Sequence, residues 1–241
     1  MTVKFSFDQA GHCDICEGPV VFHSDFKWFR DHLLCPVCKS VPRERALMRV
    51  IDMYMPDYRS KTVHESSPGG RGVSVKLGRN CLGYSYSHYF PDVPLGSLHR
   101  QRGERCESLE ALTFSDNTFD LFITQDVMEH VLDPAAAFRE IARTLKPGGM
   151  HILTVPLVNK CKPSSQRVAR EADGNIRHIA EPTYHGNPID DKGSLVTMDW
   201  GYDIVEFIRN ESGLSAHMVT INEIEHGIRA EYIEVLVCLK P

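Results

Sequence analysis

Apolar residues at Leu47, Val50, Ile51 and Tyr54 fall at i, i+3, i+4 and i+7, the spacing of a helix with one buried face. Pro42 suits its first turn and Pro56 stops it. Beyond it, short β-type runs at Thr62–Glu65, Leu82–Ser85, Phe119–Thr124 and Met150–Val155 alternate with helical stretches, which is how a parallel α/β sheet is encoded. The clearest helix lies between the last two runs. Asp133-Pro134 supplies its N-cap and first-turn proline, Phe138, Ile141, Ala142 and Leu145 line one face, and Lys146-Pro147-Gly148-Gly149 closes it. After a polar stretch from Asn159 to Lys192 come a helix over roughly Asp199 to Glu211 and two β-type runs, Ala216–Ile221 and Glu231–Leu239, expected to pair as a hairpin.

Ahead of this pattern stand two C-x2-C pairs, Cys13-Asp14-Ile15-Cys16 and Cys35-Pro36-Val37-Cys38, separated by eighteen residues. Each pair can present two sulfurs from one tight knuckle, and four thiolates satisfy one tetrahedral Zn²⁺. Four sulfur ligands leave no open coordination position, so the ion is expected to be structural and catalysis to lie elsewhere. Cys81, Cys106, Cys161 and Cys238 are scattered and read as packing residues. The expected organisation is a zinc ribbon over residues 1–45 and an α/β domain over residues 46–241, a division that suits 241 residues.

The net charge of -5, from 27 Lys+Arg and 32 Asp+Glu, gives no general field for phosphate backbones or anionic lipid. Within the ribbon six basic residues balance six acidic ones, leaving Arg43 and Arg45 as one candidate local anion site. No apolar run reaches membrane-spanning length, and Met1 to Ala10 lacks the form of a signal peptide, so the reading is cytoplasmic with no membrane partner.

The first run of the sheet ends near Glu65 and leads into Ser66-Ser67-Pro68-Gly69-Gly70-Arg71-Gly72, a glycine-rich turn at the carboxyl end of a strand. Nucleotide-like ligands bind at such turns, because small residues let the backbone approach them and a helix N-terminus faces them. Further on, Leu112-Thr113-Phe114-Ser115-Asp116-Asn117-Thr118-Phe119-Asp120-Leu121, Gln125-Asp126-Val127-Met128-Glu129-His130-Val131 and Leu145-Lys146-Pro147-Gly148-Gly149 follow in order. With these blocks the chain, over about residues 60 to 240, closely resembles the class I S-adenosylmethionine-dependent methyltransferases of the type 11 kind. The ribbon segment from Cys35 to Arg45 also looks like a zinc-bearing branch associated with saccharide-modifying enzymes.

The resemblance implies a Rossmann-like, mostly parallel seven-stranded sheet ending in the antiparallel hairpin, with S-adenosylmethionine across the carboxyl ends of the first strands. Carried over by position, Glu65, Ser66, Ser67, Pro68, Gly69 and Gly70 match the turn that holds the cofactor's methionine part, with Ser67 where a glycine is usual. The second strand lacks the usual ribose-binding carboxylate, so either Ser85, Tyr86 or Ser87 substitutes or the ribose contacts come from elsewhere. Ser108 and Leu109 fall where the adenine edge is contacted, and Gln125 falls beside the sulfonium.

Methyl transfer to a hydroxyl needs in-line geometry and a group that takes the acceptor's proton. His130 and His185 are the candidate bases, with Asp126 and Asn187 placed to orient base or acceptor. Tyr184 to Asp191 is a polar segment suited to hydrogen-bonding a hydroxylated acceptor, with Tyr184 and Asn187 as contacts. The expected reaction is O-methylation of a polar small molecule or saccharide. Two alternatives stay open. One is an RNA methyltransferase using the basic groups Arg100, Arg102, Arg105 and Lys160, Lys162, Arg167, Arg170; the other is a cofactor-binding regulatory module without turnover.

Overall fold

The computed structural model describes residues 4–171 and 173–241. Residues 1–3, the start of the Met1 to Ala10 segment read above for targeting, lie outside the described residues. The ribbon opens with β1 (Phe7–Cys13) and β2 (Gly18–Ser24), an antiparallel pair joined by the first cysteine knuckle. Helix α1 (Pro42–Tyr54) follows the second knuckle with Pro42 in its first turn, and the Glu44 side chain accepts from the Val41 N–H at 3.1 Å. The sheet then begins with β3 (Thr62–Ser66), α2 (Gly72–Asn80), β4 (Gly83–His88) and the short β5 (Arg105–Cys106). It continues with β6 (Phe119–Gln125), α3 (Pro134–Thr144), β7 (Leu145–Thr154), α4 (Ile204–Ser212), β8 (Ser215–Val219) and β9 (Val235–Leu239).

The seven-stranded sheet has the order β8-β9-β7-β6-β3-β4-β5. Strands β3 to β7 run parallel to one another, and β9 is antiparallel to both β7 and β8. This is the expected Rossmann-like sheet with its antiparallel C-terminal pair. Strand alternation sorts the core into two layers. Leu121, Ile123, Val235 and Val237 face α1, α2 and the ribbon, whereas Phe122, Leu236 and Cys238 face α3 and α4. Because Cys13, Phe22, Leu33 and Cys35 belong to the same apolar cluster as Val63 and Ile152, the ribbon shares one core with the sheet.

Several boundaries differ from the sequence reading. Strand β7 takes in Lys146-Pro147-Gly148-Gly149, which was expected to close α3. The helix instead ends at Thr144, and a register shift between Phe119 and Leu121 absorbs the turn, with Gly148 at φ 76°. Helix α4 starts later than Asp199, because Met198–Asp199 pairs with Ser165–Gln166. The polar stretch is not a plain loop. Besides that ladder it forms Val168–Arg170 against Ile176–His178 and Tyr184–His185 against Ser194–Leu195. Cys81, Cys106 and Cys238 are buried as expected, and Cys161 is exposed.

Candidate active site and cysteine cluster

The four ribbon cysteines converge. Cys13 and Cys38 sulfurs are 3.8 Å apart, Cys16 and Cys35 sulfurs 3.6 Å, and all four lie within 4.8 Å of one another. A tetrahedral ion with metal–sulfur bonds of about 2.3 Å has sulfur–sulfur edges of about 3.8 Å, so the donors fit a single Zn²⁺. Arg45 lies fully buried beside them. It donates to the carbonyls of Ser40, Leu33 and Gly227, and stacks on Phe22 at 4.5 Å. Arg43 points elsewhere, toward Asp126 and Asp31, so the expected joint anion site of Arg43 and Arg45 does not form. The two guanidiniums have no partner in common, and residues two positions apart on a helix point to different faces.

Parallel strands end together at their carboxyl edge, and there the molecule has a cavity of about 1200 Å³. A single small ligand fills roughly 300–1,000 Å³, which leaves room for two. One wall is the turn after β3. Ser66, Ser67 and Gly69 face the cavity, as do Ser108, Leu109 and Gln125. Ser67 adopts φ 56°, the left-handed conformation a glycine would take, so the turn keeps its shape despite the serine. A Cβ on Gly69 would meet nothing within 4 Å and would project into open space.

Other cofactor candidates lie outside the cavity. Glu65 is wholly buried, and its carboxylate accepts from Tyr84 OH and Gln125 Nε2, each at 2.6 Å, and from Ser74 Oγ at 2.7 Å. Burial pushes its pKa up against these three donors. These bonds tie β3 to β4, β6 and α2. Pro68 and Gly70 shape the turn without lining the cavity, Gly70 at φ 68°. Ser85, Tyr86 and Ser87 fall short of it as well. Strand β4 runs on to His88, so its carboxyl end is Tyr89, which faces the cavity with Pro91. The hydroxyls of Ser85 and Ser87 are engaged by the two nitrogens of His64, at 2.9 and 3.0 Å.

The opposite wall joins β6, the polar insertion and the ribbon. Asp126, at φ 52° just past β6, accepts from Arg30 Nη2 at 2.7 Å, Arg43 Nε at 2.8 Å and Thr154 Oγ1 at 3.1 Å. Burial would raise its pKa, but the two guanidiniums outweigh that and hold it below the usual carboxylate range. Asp126 therefore anchors the ribbon, and it also lines the cavity and adds to the upward pull on the His185 pKa. Trp28, Arg30 and Arg43 line the cavity, so the ribbon forms part of the wall. The charge count of the ribbon hid this, because it treated these arginines as a sum and not as positions.

His130 and His185, fifty-five positions apart, meet edge to face at 5.1 Å between ring centroids. Between them sits Glu129, which sequence reasoning passed over although it adjoins a candidate base. Its Oε1 is 3.7 Å from His130 Nε2 and 3.7 Å from His185 Nδ1. The Glu129 carboxylate raises the pKa of His185 despite partial burial. Tyr184 and Asn187 line the same end of the cavity.

A family model described as "Methyltransferase domain" matches residues 72–153, the segment from α2 through most of β7. An S-adenosylmethionine-dependent methyltransferase from Mesorhizobium loti superposes with a TM-score of 0.51 at 15% identity, over 81% of this chain and 98% of that one. The fold is that of a class I methyltransferase. Among curated relatives, the ubiquinone biosynthesis O-methyltransferase of Parvibaculum lavamentivorans is 44% identical over 46 residues, 19% of this chain and 18% of that protein. Phosphoethanolamine N-methyltransferase 2 of Caenorhabditis elegans is 31% identical over 91 residues, 36% of this chain and 21% of that protein. The chain thus spans about a fifth of the length of these two relatives. The matched segment begins at Gly72, so the turn after β3, the ribbon and the polar insertion all fall outside it.

Proposed function

We propose that this protein is an S-adenosylmethionine-dependent methyltransferase that methylates a hydroxyl of a polar small molecule or saccharide. The observation that carries this reading is one cavity whose two walls differ in chemistry. The small-residue turn after β3 stands on one side and the Glu129–His130–His185 group on the other. Ser66, Ser67, Gly69, Ser108, Leu109 and Gln125 would hold the cofactor, which supplies an electrophilic methyl group on a sulfonium when bound. The chain's own work is to exclude water, hold the acceptor oxygen in line and take its proton. Tyr184 and Asn187 are placed to orient the acceptor. His185 or His130 receives the proton, and the Glu129 carboxylate favours the imidazolium that results.

The names of the relatives, ubiquinone biosynthesis O-methyltransferase and phosphoethanolamine N-methyltransferase, agree with a small acceptor. So does the fate of the basic groups that kept an RNA acceptor open. Five of those seven, Arg102, Arg105, Lys160, Arg167 and Arg170, each pair with a carboxylate, which leaves, among the described residues, Arg100 and Lys162 as the charges of that set free to track a phosphate backbone. Zn²⁺ on Cys13, Cys16, Cys35 and Cys38 belongs to the same reading, as the structural ion of the ribbon over residues 1–45. Cytoplasmic residence is part of the proposal. Among the described residues no helix is long and apolar enough to cross a membrane.

Gly69→Val tests the cofactor wall. The new side chain enters open space at a backbone conformation that valine tolerates, so folding should be unaffected while S-adenosylhomocysteine affinity falls by more than about tenfold. Calorimetry giving equal affinity for variant and parent would show the cofactor wall to be misplaced.

A further inference from the structure

Glu129 is an anomaly. Its side chain is 1% exposed and neither carboxylate oxygen has a hydrogen-bond partner. Buried carboxylates are ordinarily paired or bound to a cation, since an unmatched one loses its hydration for nothing in return. The two imidazoles stand at 3.7 Å, beyond hydrogen-bond reach. One ligand atom from each of Glu129, His130 and His185 lies within 4.8 Å of the others, so the three surround a common point.

The tautomer of His130 sharpens the argument. Its Nδ1 contacts the Leu195 carbonyl at 2.9 Å. A carbonyl can only accept, so Nδ1 carries the hydrogen, and in the neutral ring Nε2 is a lone pair turned toward the carboxylate. A lone pair facing a carboxylate is repulsive unless something positive lies between them. This arrangement, with the far nitrogen of the ring fixed by a backbone carbonyl, is the one that orients imidazoles bound to metals. The backbone is held too. Thr197 donates to the Glu129 carbonyl through its N–H at 2.7 Å and its hydroxyl at 2.9 Å.

We propose that Glu129, His130 and His185 bind one divalent first-row cation, of the class of Mn²⁺, Fe²⁺, Co²⁺ or Zn²⁺, at the acceptor end of the cavity. Two imidazoles and one carboxylate suit these ions better than Mg²⁺ or Ca²⁺, which prefer oxygen. Three protein ligands leave coordination positions open, and His185, with 44% of its side chain exposed, sits on the side that faces the cavity. The inference rests on the functional reading above and deepens it. With the ion bound the imidazoles would serve as ligands in place of bases, and the ion would acidify an acceptor hydroxyl that completed the coordination, its proton passing to water.

The test is a Mn²⁺ titration of the full chain with its ribbon zinc left in place, followed by the loss of the free-ion electron paramagnetic resonance signal. Mn²⁺ is the probe because thiolates do not favour it. One ion should bind per parent chain, and at least about tenfold more weakly in both Glu129→Gln and His185→Ala. His185 is exposed, so its variant folds even where Glu129→Gln does not, and S-adenosylhomocysteine affinity measured on the same samples reports an intact cofactor wall. No Mn²⁺ binding by the parent, or equal binding by parent and His185→Ala, overturns the inference. Cofactor binding without Mn²⁺ binding defeats the cation site alone, whereas Mn²⁺ binding without cofactor binding upholds the site and defeats the functional reading.

Discussion

Asp126→Asn isolates the charge that docks the ribbon on the cavity wall. Asparagine is among the residues that best accept φ 52°, and its Oδ1 can still accept from Thr154, so shape and backbone are kept while the charge is lost. Removing one partner of a buried ion pair costs about 3–5 kcal/mol when the other is left unpaired. Here both arginines keep a second partner. Arg43 Nη1 is 2.7 Å from Asp31, and Arg30 Nε donates to the Tyr232 carbonyl at 3.1 Å. The loss should therefore be nearer 2 kcal/mol at neutral pH, that is, about 2 kcal/mol by urea unfolding. A double-mutant cycle with Arg30→Gln should return a coupling of about 1 kcal/mol or more. Because the carboxyl pKa is lowered in the folded state, the stability it contributes is present above the usual carboxylate range and lost as pH falls through the folded value. Parent and variant should then converge in acid. A loss below about 0.5 kcal/mol at neutral pH, or strict additivity in the cycle, would refute the anchoring role.

The buried imidazoles of His64 and His151 give a second pH dependence. Burial pushes both down to about 3, with Arg105 adding to the effect on His64, so both stay neutral in the folded chain. Their stability is complete above about pH 6.5 and declines toward pH 3 by about 1.4 kcal/mol per pH unit for each histidine. His151→Leu should lower that slope by one proton's worth in urea titrations at several pH values, and an unchanged slope would count against it. Freshly purified protein should contain at least one zinc per chain by elemental analysis, and one equivalent should be lost in Cys35→Ser and retained in Cys238→Ser. Equal zinc content in the two variants would disprove the assignment of the ribbon cysteines.

Where period and spacing are set by local physics, the sequence was legible. The seven strands of the sheet other than β5, and helices α1, α3 and α4, follow from apolar repetition and turn residues, and the cysteine knuckles meet as their spacing requires. Ser85 to Ser87 lie outside the cavity lining for another reason. A strand's end is not written in its composition, and β4 runs three residues beyond Ser85 because parallel pairing continues with β3 to Ser87 and with β5 to His88. What could not be read at all were pairings across long stretches of chain. Asp126 with Arg30, ninety-six positions apart, and Glu129 with His185 exist only once the sheet is built. Glu129 did leave a local sign, a carboxylate next to a candidate base at a strand end, and this sign deserved as much weight as the histidine.

The buried Arg45 also sets an order of events. Its guanidinium closes on the Gly227 carbonyl 182 positions downstream, and Asp14 in the first knuckle meets His226, 212 positions away. At a synthesis rate of about 5–20 residues per second, the ribbon leaves the ribosome roughly 10–40 s before its docking partner exists. During that interval Phe22 and Leu33 have no sheet to cover them, and only a captured metal ion would hold the knuckles together. Zinc supply during translation, rather than after it, would then govern how much of the chain reaches its native state.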